Sequence, residues 1–312
     1  MNLRASLKML GPLVALLVVY FGFGISEPAM FNRTVIINIL SQSVIVGIAA
    51  VGMTLIIISG GIDLSVGSII AWTGVIAAFL IDQSLSPILV FLTAILCGGL
   101  CGFLNGSLSI WLRLMPFIVT LGTMQIYRGS AKIFTGGTPI NLPFDETRYQ
   151  LWMGGTGFPY GIFLLLVICI FTSWILHYTR FGRHAIAIGS SPATARLCGI
   201  PVLRTQIFVY VIGGAMAGLA AMMNVAKSSQ GDPTTALGLE LDIIAAVVLG
   251  GARLTGGQGS VIGAVIGALL MTCIRTGCVM HGIPTPWTEV ITGIIIIIAV
   301  VVDRLRQRHT LC

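Results

Sequence analysis

Long apolar stretches recur along the chain with the length typical of helices that cross a membrane. Such a helix needs about 20 predominantly apolar residues. Seven stretches carry no formal charge and cover residues 9–26, 34–62, 64–81, 83–112, 149–179, 205–226 and 254–274. Three further apolar stretches are interrupted or short, namely 114–134, 241–252 and 286–302. The pattern predicts an all-α, polytopic membrane protein with about ten transmembrane helices in a single domain, residues 1–312.

Two of these stretches depart from a simple span. Residues 241–252 would extend only about 18 Å at 1.5 Å per residue, too short for a hydrocarbon core of about 30 Å, which indicates a half-helix or a strongly offset helix. The first stretch follows Arg4 and Lys8, as the apolar part of a signal peptide would, but no small-x-small cleavage site follows it. We therefore expect a retained first helix.

The composition excludes a soluble globular protein. The chain is 56% hydrophobic and 9% charged, whereas soluble domains carry about 25% charged residues. Its 39 glycines suit membrane helices, whose backbones approach closely at small residues. The seven cysteines are scattered and predict neither a metal site nor a disulfide framework. No cofactor is expected.

The basic residues predict how the chain is oriented. With an inner N-terminus and ten crossings, eleven of the 17 basic residues fall on the cytoplasmic side, as the positive-inside rule requires. Both termini are then cytoplasmic. The net charge of +7 reflects this topology and calls for no nucleic-acid partner. The longest outer loop, about 135–158, and the longest inner loop, about 180–206, mark the middle of the chain. We divide the chain into an N-terminal half of about 1–155 and a C-terminal half of about 156–312.

Two glycine-rich segments echo each other in these halves. Gly60-Gly61 and Gly250-Gly251 each follow one apolar run and precede another. Paired broken helices in two pseudo-repeated halves are typical of transporters. Chance similarity between glycine-rich helix turns explains the echo equally well.

Several enzyme classes are disfavoured by what the sequence lacks. No segment matches the phosphate-binding loop Gly-x-x-x-x-Gly-Lys-Ser/Thr, so ATP-driven transport would need an ATPase on another chain. A membrane hydrolase is disfavoured because the histidines fall at predicted span edges, in a turn or in the tail. A proton- or sodium-coupled carrier usually has acids in mid-membrane. Asp63, Asp242 and Glu289 are candidates, but each lies near the end of a predicted span, so a stand-alone carrier is the second interpretation.

The segment 52–68, GMTLIIISGGIDLSVGS, combines a glycine pair with two polar residues. Gly60 and Gly61 predict a break in the helix. Asp63 and Ser65 are suited to cap the free amides at the start of the next helix. Capping alone would explain Asp63, and a direct role in a solute pathway is the alternative.

A polar stripe is predicted on the helix that follows the fourth uncharged stretch. Thr120, Thr123 or Met124, and then Tyr127 and Arg128 recur at spacings of three and four residues, which places them on one helix face. Arginine at the centre of a span costs about 2.5–3.5 kcal/mol unless it faces protein, water or the interface. Arg128 therefore either extends to the interface, pairs with an acid such as Glu146, or borders a pathway.

The inner loop contains a short helix signal in residues 181–201. Ser191 is a good N-cap, Pro192 fits the first helical position, and Gly199 fits the C-terminal stop. A helix of about two turns is too short to be stable in water by itself. It must pack either on its own protein or on a partner.

Small residues dominate a fourth segment, 238–269. Gly259, Gly263 and Gly267 are spaced by four residues, a pattern suited to close helix crossing. We interpret these glycines as packing residues.

The segments 52–68, 116–140, 181–201 and 238–269 together resemble the permease subunits of bacterial sugar ABC importers, the ribose/xylose/arabinose/autoinducer-2 group. The resemblance implies a translocation subunit without catalytic residues, in the inner membrane, for a monosaccharide or similar polyol. It also implies a sugar ABC ATPase subunit on the cytoplasmic side, a periplasmic or lipid-anchored solute-binding protein, and a second permease copy. The alternative function is a stand-alone secondary carrier or channel for a small polar solute.

The resemblance assigns the inner short helix as the coupling helix that seats in the ATPase. The residues expected to carry coupling are Ser191, Pro192, Ala193, Ala195, Arg196 and Gly199. A sugar also needs a hydrated path, because each hydroxyl stripped of water without a new hydrogen bond costs about 1–3 kcal/mol. The residues expected to line it are Asn105, Thr120, Thr123, Gln125, Tyr127 and Arg128.

Overall fold

The computed structural model describes residues 3–142 and 160–309. Within them the chain forms twelve α-helices. They are α1 (Leu3–Ser26), α2 (Arg33–Ile58), α3 (Val66–Asp82), α4 (Pro87–Trp111), α5 (Pro116–Thr135), α6 (Gly161–Tyr178), α7 (Arg180–Ser190), α8 (Pro192–Leu197), α9 (Val202–Ser228), α10 (Leu239–Leu249), α11 (Val261–Met280) and α12 (Thr285–His309). A 3₁₀ helix, Pro28–Phe31, joins α1 to α2.

Five of the described helices, α2, α4, α6, α9 and α11, are long and apolar enough to cross a membrane. Shorter apolar stretches lie in α1, α3 and α12. The prediction of an all-α membrane protein is confirmed. Each of the ten predicted spans contains a helix, although residues 149–159 of the sixth lie outside the described residues. The number of crossings stays a prediction.

Helix α2 occupies the centre of the fold. All its residues from Ser43 to Ile58 are buried, on every side of the helix, as expected for a helix that is apolar all round. It packs against α6, α9, α10 and α11. A helix of the predicted N-terminal half is therefore surrounded by helices of the predicted C-terminal half.

Small residues set the closest helix contacts. On α4, a side chain at Gly98 or Gly102 would overlap the backbone of α9. On α11, a side chain at Gly263 or Gly267 would overlap the backbone of α10. The packing role predicted for Gly263 and Gly267 is confirmed, and α10 is short, with eleven residues.

The predicted inner connection 180–206 contains the predicted short helix and more helix besides. It consists of helices α7 and α8 and the first turn of α9. Helix α7 forms because the Thr179 hydroxyl oxygen accepts from the amide of Gly182 at its start, and because Ala185 and Ile188 are fully buried. Within this connection the sequence pattern predicts α8 but not α7, whose apolar residues alternate with charged ones as in an amphipathic helix.

Two short strands pair outside the helices. β1 (Ile140–Asn141) is antiparallel to β2 (Gln230–Gly231), with Ile140 opposite Gly231. The pairing joins the segment after α5 to the segment after α9.

Candidate functional site

Helix α2 is broken where the sequence predicts it. Gly60 adopts a left-handed backbone, φ +85°, which a residue with a side chain rarely adopts. The amide of Gly60 donates to the carbonyl of Ile57, and the amide of Gly61 donates to the carbonyl of Ile56, each at 2.9 Å. These two bonds form a Schellman stop. Residues 59–65, the helix break, then lead into α3.

The Asp63 carboxylate lies at the centre of the helix break and is 2% exposed. Its Oδ1 accepts from the Ser65 amide at 2.8 Å and from the Ser65 hydroxyl at 2.6 Å. Its Oδ2 accepts from the Asn105 side-chain amide on α4 at 3.1 Å. The same Asn105 nitrogen donates to the Ser65 hydroxyl at 2.7 Å. Three donors therefore hold the carboxylate in place.

The structure corrects the capping interpretation of Asp63 and Ser65. Ser65 occupies the N-cap position of α3, but its side chain makes no cap hydrogen bond to that helix. Its hydroxyl donates to Asp63 instead. Asp63 accepts from the amide of Ser65, which precedes the first residue of α3. The two residues form a turn within the helix break that binds α4.

Helix α5 contributes two of the predicted pathway residues to the same cluster. The Thr120 hydroxyl accepts from the Leu64 amide at 3.2 Å and lies 3.4 Å from the Ile62 carbonyl oxygen. The Tyr127 hydroxyl donates to the Asn105 side-chain oxygen at 3.2 Å or to the Cys101 carbonyl at 3.0 Å. Backbone groups left free by the break are thereby paired with side chains.

Tyr210 on α9 completes the cluster. It is not among the residues predicted from the sequence. Its hydroxyl donates to the Ile62 carbonyl at 3.3 Å, and the side chain is 3% exposed. The Cβ of a side chain at Gly61 would stand only 2.5 Å from this hydroxyl. A tyrosine in an otherwise apolar run was the available signal, because a buried hydroxyl needs a partner. We define the polar cluster as Asp63, Ser65, Asn105, Thr120, Tyr127 and Tyr210.

A cavity of about 1040 Å³ opens beside the polar cluster. Ser59, Gly61 and Tyr210 form part of its wall. Its polar lining also includes three exposed arginines, Arg113, Arg196 and Arg204. The cavity therefore connects the helix break to the face that bears α8.

The ends of α8 are formed as the sequence predicts. The Ser191 side chain accepts from the Thr194 amide at 3.3 Å, and Pro192 takes the first helical position. At the other end Gly199 has φ +76°, and the Ile200 amide donates to the Ala195 carbonyl at 3.0 Å, a Schellman stop. The helix has six residues.

One face of α8 is packed and the other is exposed. Ala195 is 3% exposed and packs with Ile188 and Val202. Leu197, by contrast, is 89% exposed, and Ala193 and Arg196 are exposed with it. The helix therefore packs on its own protein and also presents a free surface.

Comparison with known proteins identifies the family of this chain. Residues 35–300 match the family described as branched-chain amino acid transport system / permease component. The chain belongs to this permease family. The permease is 36% identical over 299 residues to the ribose import permease protein RbsC of Escherichia coli strain K12, covering 95% of this chain and 93% of that protein.

Two other relatives are named for different sugars, L-arabinose and fructose. The L-arabinose ABC transporter permease protein AraH of Azospirillum brasilense is 34% identical over 301 residues, covering 96% of the permease and 88% of AraH. The fructose import permease protein FruG of Bifidobacterium longum is 34% identical over 310 residues, covering 94% and 90%. No solved structure matches the chain. The resemblance to sugar importer permeases is confirmed.

Three predicted pathway residues of the permease lie outside the polar cluster. Thr123 is buried and donates only to the Thr120 carbonyl of its own helix, at 3.3 Å. Gln125 is exposed. Arg128 is 7% exposed and donates to the carbonyl oxygens of Pro233 and Thr235.

The prediction that Arg128 extends to the interface is wrong, and the predicted pair with Glu146 is not tested. Arg128 does not extend to the surface, and the proposed partner Glu146 lies outside the described residues. Its guanidinium instead fixes the segment between β2 and α10 to α5. Charged donors to carbonyl oxygens form strong hydrogen bonds, so this is a firm anchor.

Proposed function

We propose that the permease forms the translocation path of an ATP-driven importer for a monosaccharide or similar polyol, with ATP hydrolysis supplied by a separate subunit. The observation that carries the proposal is the polar cluster at a helix break in a chain related to ribose, arabinose and fructose permeases. On this proposal the chain is a transporter subunit and has no catalytic residue of its own.

The chemistry of the polar cluster supports passage of a polyol. A sugar loses about 1–3 kcal/mol for each hydroxyl that is stripped of water and left unpaired. Hydroxyl and amide groups of Thr120, Tyr127, Tyr210 and Asn105 can exchange such bonds. In the described structure they are bonded to one another and to the helix break, so they are available to a sugar only when the break moves.

The exposed face of α8 supports a cytoplasmic ATPase partner. A six-residue helix gains little stability from its own hydrogen bonds. Leu197, nine-tenths exposed on its surface, is the kind of apolar side chain that an interface buries. Ser191, Pro192, Ala193, Ala195, Arg196 and Gly199 form or flank this coupling helix.

The state of the buried acids favours an ATP-driven importer over a carrier. A carrier acid must bind and release its ion in each cycle. Asp63 is held by three donors, and Asp242, 1% exposed, forms an ion pair with Arg275 at 2.7 Å. Glu289 is exposed on α12. A stand-alone carrier or channel remains the second candidate.

The proposal extends to partners and orientation. The permease would work with a sugar ABC ATPase inside, a periplasmic or lipid-anchored binding protein outside, and a second permease copy. It would lie in the bacterial inner membrane as a multi-pass protein with both termini in the cytoplasm, which is the arrangement that the basic residues predict. Helix α8 and the wide cavity would then face the ATPase.

Reconstitution tests the proposal. The permease is incorporated into liposomes with the sugar ABC ATPase and the binding protein that are proposed as its partners, and uptake of radiolabelled ribose, arabinose, fructose and xylose is measured. We expect at least one of these sugars to be taken up. Its uptake should require ATP and should be lost when the ATPase carries a substitution that prevents ATP hydrolysis. Uptake by the permease alone, driven by a solute or ion gradient, would establish the carrier instead.

A further inference from the structure

Three chain segments meet at one point beside the helix break. The Ile58 carbonyl oxygen, at the end of α2, accepts from the Gly257 amide, after α10, at 2.8 Å. Gly189, near the end of α7, packs against the same two groups. The two glycine-rich segments that echo each other in the sequence are thus joined directly, with α7 inserted beside them.

Gly189 fits this junction only because it lacks a side chain. A Cβ at this position would overlap the Ile58 carbonyl oxygen and would stand 2.6 Å from the Gly257 nitrogen. Both obstacles are backbone atoms, which cannot rotate away as a side chain can. The closeness is mutual, because a Cβ at Gly256 would stand 2.7 Å from the Gly189 carbonyl oxygen. The contact between Gly189 and the segments at Ile58 and Gly256–Gly257 is therefore rigid, because neither side can yield by rotating a side chain.

A continuous set of buried contacts links this junction to the coupling helix. On α8, Ala195 packs with Ile188, which is fully buried and directly precedes Gly189. Ile58 directly precedes residues 59–65, the helix break that carries Asp63. Motion of α8 would thus pass through Ile188 and Gly189 to Ile58, the residue directly before the break, without a flexible segment between.

We infer that Gly189 is the positioning residue through which α8 controls the helix break, and with it the polar cluster. The inference rests on the proposed function, because it takes α8 as the segment that the ATPase moves. It adds that the force reaches Asp63 through backbone contact at Ile58, and reaches the second glycine-rich segment through Gly257 at the same time.

The first test needs the permease alone. In a cysteine-free background, Thr120→Cys reports on the polar cluster, because Thr120 is fully buried and bonded to the break. Adding Gly189→Ala should displace the break and raise the reaction rate of this thiol with a small polar reagent at least tenfold. Gly293→Ala is the matched control, a helical glycine with no atom within 4 Å, and should change the rate less than twofold.

The second test uses the complete importer with its ATPase and binding protein. Gly189→Ala should keep the ATPase bound and hydrolysing, but should lower the sugar imported per ATP at least tenfold. Ile188→Val removes one methylene group from the contact between α8 and Gly189, and it disturbs folding less than Gly189→Ala does. It should lower the sugar imported per ATP two- to threefold. Gly293→Ala should leave the ratio unchanged.

The outcomes separate this inference from the proposed function. The inference is overturned if Gly189→Ala leaves the thiol reactivity unchanged, or if both Gly189→Ala and Ile188→Val leave the sugar imported per ATP unchanged. The proposed function still holds in either case, provided that wild-type uptake requires ATP. If Gly189→Ala does not fold, the ratio measured for Ile188→Val decides. If the wild-type protein shows no ATP-dependent uptake, the proposed function fails, and the thiol measurement alone decides whether Gly189 positions the break.

Discussion

Asn105 and Asp63 lie 42 positions apart in the chain, and the Asn105 side-chain amide donates to the Asp63 carboxylate at 3.1 Å. This bond joins α4 to the helix break. Because the other carboxylate oxygen accepts two bonds from Ser65, both oxygens of Asp63 face donors. An asparagine at this position would turn one acceptor into a donor.

We therefore expect Asp63→Asn to be damaging, although asparagine caps helices as well as aspartate does. Its NH₂ group would face either Ser65 or Asn105, and an unpaired buried polar group costs about 1–3 kcal/mol. The denaturation temperature of the detergent-solubilised permease should fall, and Asp63→Leu should lower it further.

Asp82→Asn is the control, because Asp82 is exposed at the end of α3. It should leave the denaturation temperature unchanged. A normal denaturation temperature for Asp63→Asn with normal uptake would show that the three-donor arrangement is not what holds the break.

The pathway prediction is tested by cysteine accessibility. Cysteines at positions 120, 123 and 127, in a cysteine-free background, replace side chains that are buried in the described structure. We expect slow reaction with a small polar thiol reagent at rest, and faster reaction when sugar and ATP drive the importer through its cycle. A cysteine at the exposed position 125 should react under both conditions.

A different pattern would move the path elsewhere. If the cysteines at 120, 123 and 127 stay inert during turnover while cysteines on another helix change their rates, α5 does not line the sugar path.

Coupling should fail when the packed face of α8 or its C-terminal stop is disturbed. Ala195→Glu would bury a carboxylate beside Ile188 and Val202, and Gly199→Glu would force a side chain into a left-handed backbone at a cost of about 1–2 kcal/mol. Both should abolish uptake and stimulated ATP hydrolysis while the permease remains folded in the membrane.

Gly282→Glu supplies the matched control for Gly199→Glu. Gly282 also has a left-handed backbone, φ +65°, with no atom within 4 Å of an added Cβ, but it lies in the turn between α11 and α12. It should keep stimulated hydrolysis. Normal ATPase binding and transport in the α8 variants would rule out the coupling role.

Leu197 should matter for assembly and not for folding. Its side chain is 89% exposed, so Leu197→Glu removes little packing within the described part of the permease. We expect the variant to keep its denaturation temperature and to lose most of the co-purifying ATPase. Leu237→Glu, at a 65% exposed leucine after β2, should keep the ATPase, and equal retention in both variants would contradict an interface on α8.

Arg128 should prove structural. Arg128→Met would leave the carbonyl oxygens of Pro233 and Thr235 without their donor, at about 1–3 kcal/mol for each group that stays buried and unpaired. Arg128→Lys keeps a charge but loses the planar fork and should fall between wild type and Arg128→Met in denaturation temperature. If Arg128→Met kept full stability but changed which sugar is imported, Arg128 would belong to the path.

Local features of the chain were predicted from sequence because their causes are local. The spans follow from runs of apolar residues, and the break after Ile58 follows from the conformational freedom of Gly60. The ends of α8 follow from Ser191, Pro192 and Gly199, each of which acts within about four residues of its own position. The helix at residues 180–190 was not predicted, because its stability depends on the burial of Ala185 and Ile188 against the rest of the fold.

The polar cluster was decided only by the tertiary structure. Its members were predicted as two separate groups, caps and pathway residues, and Tyr210 was not predicted at all. The hydrogen bond from Tyr210 to Ile62 spans 148 positions, and no local pattern encodes a partner that distant. Likewise, only the folded chain brings Gly189 and Gly257 to Ile58, because the meeting of three backbones depends on how α2, α7 and α10 pack and not on any one segment.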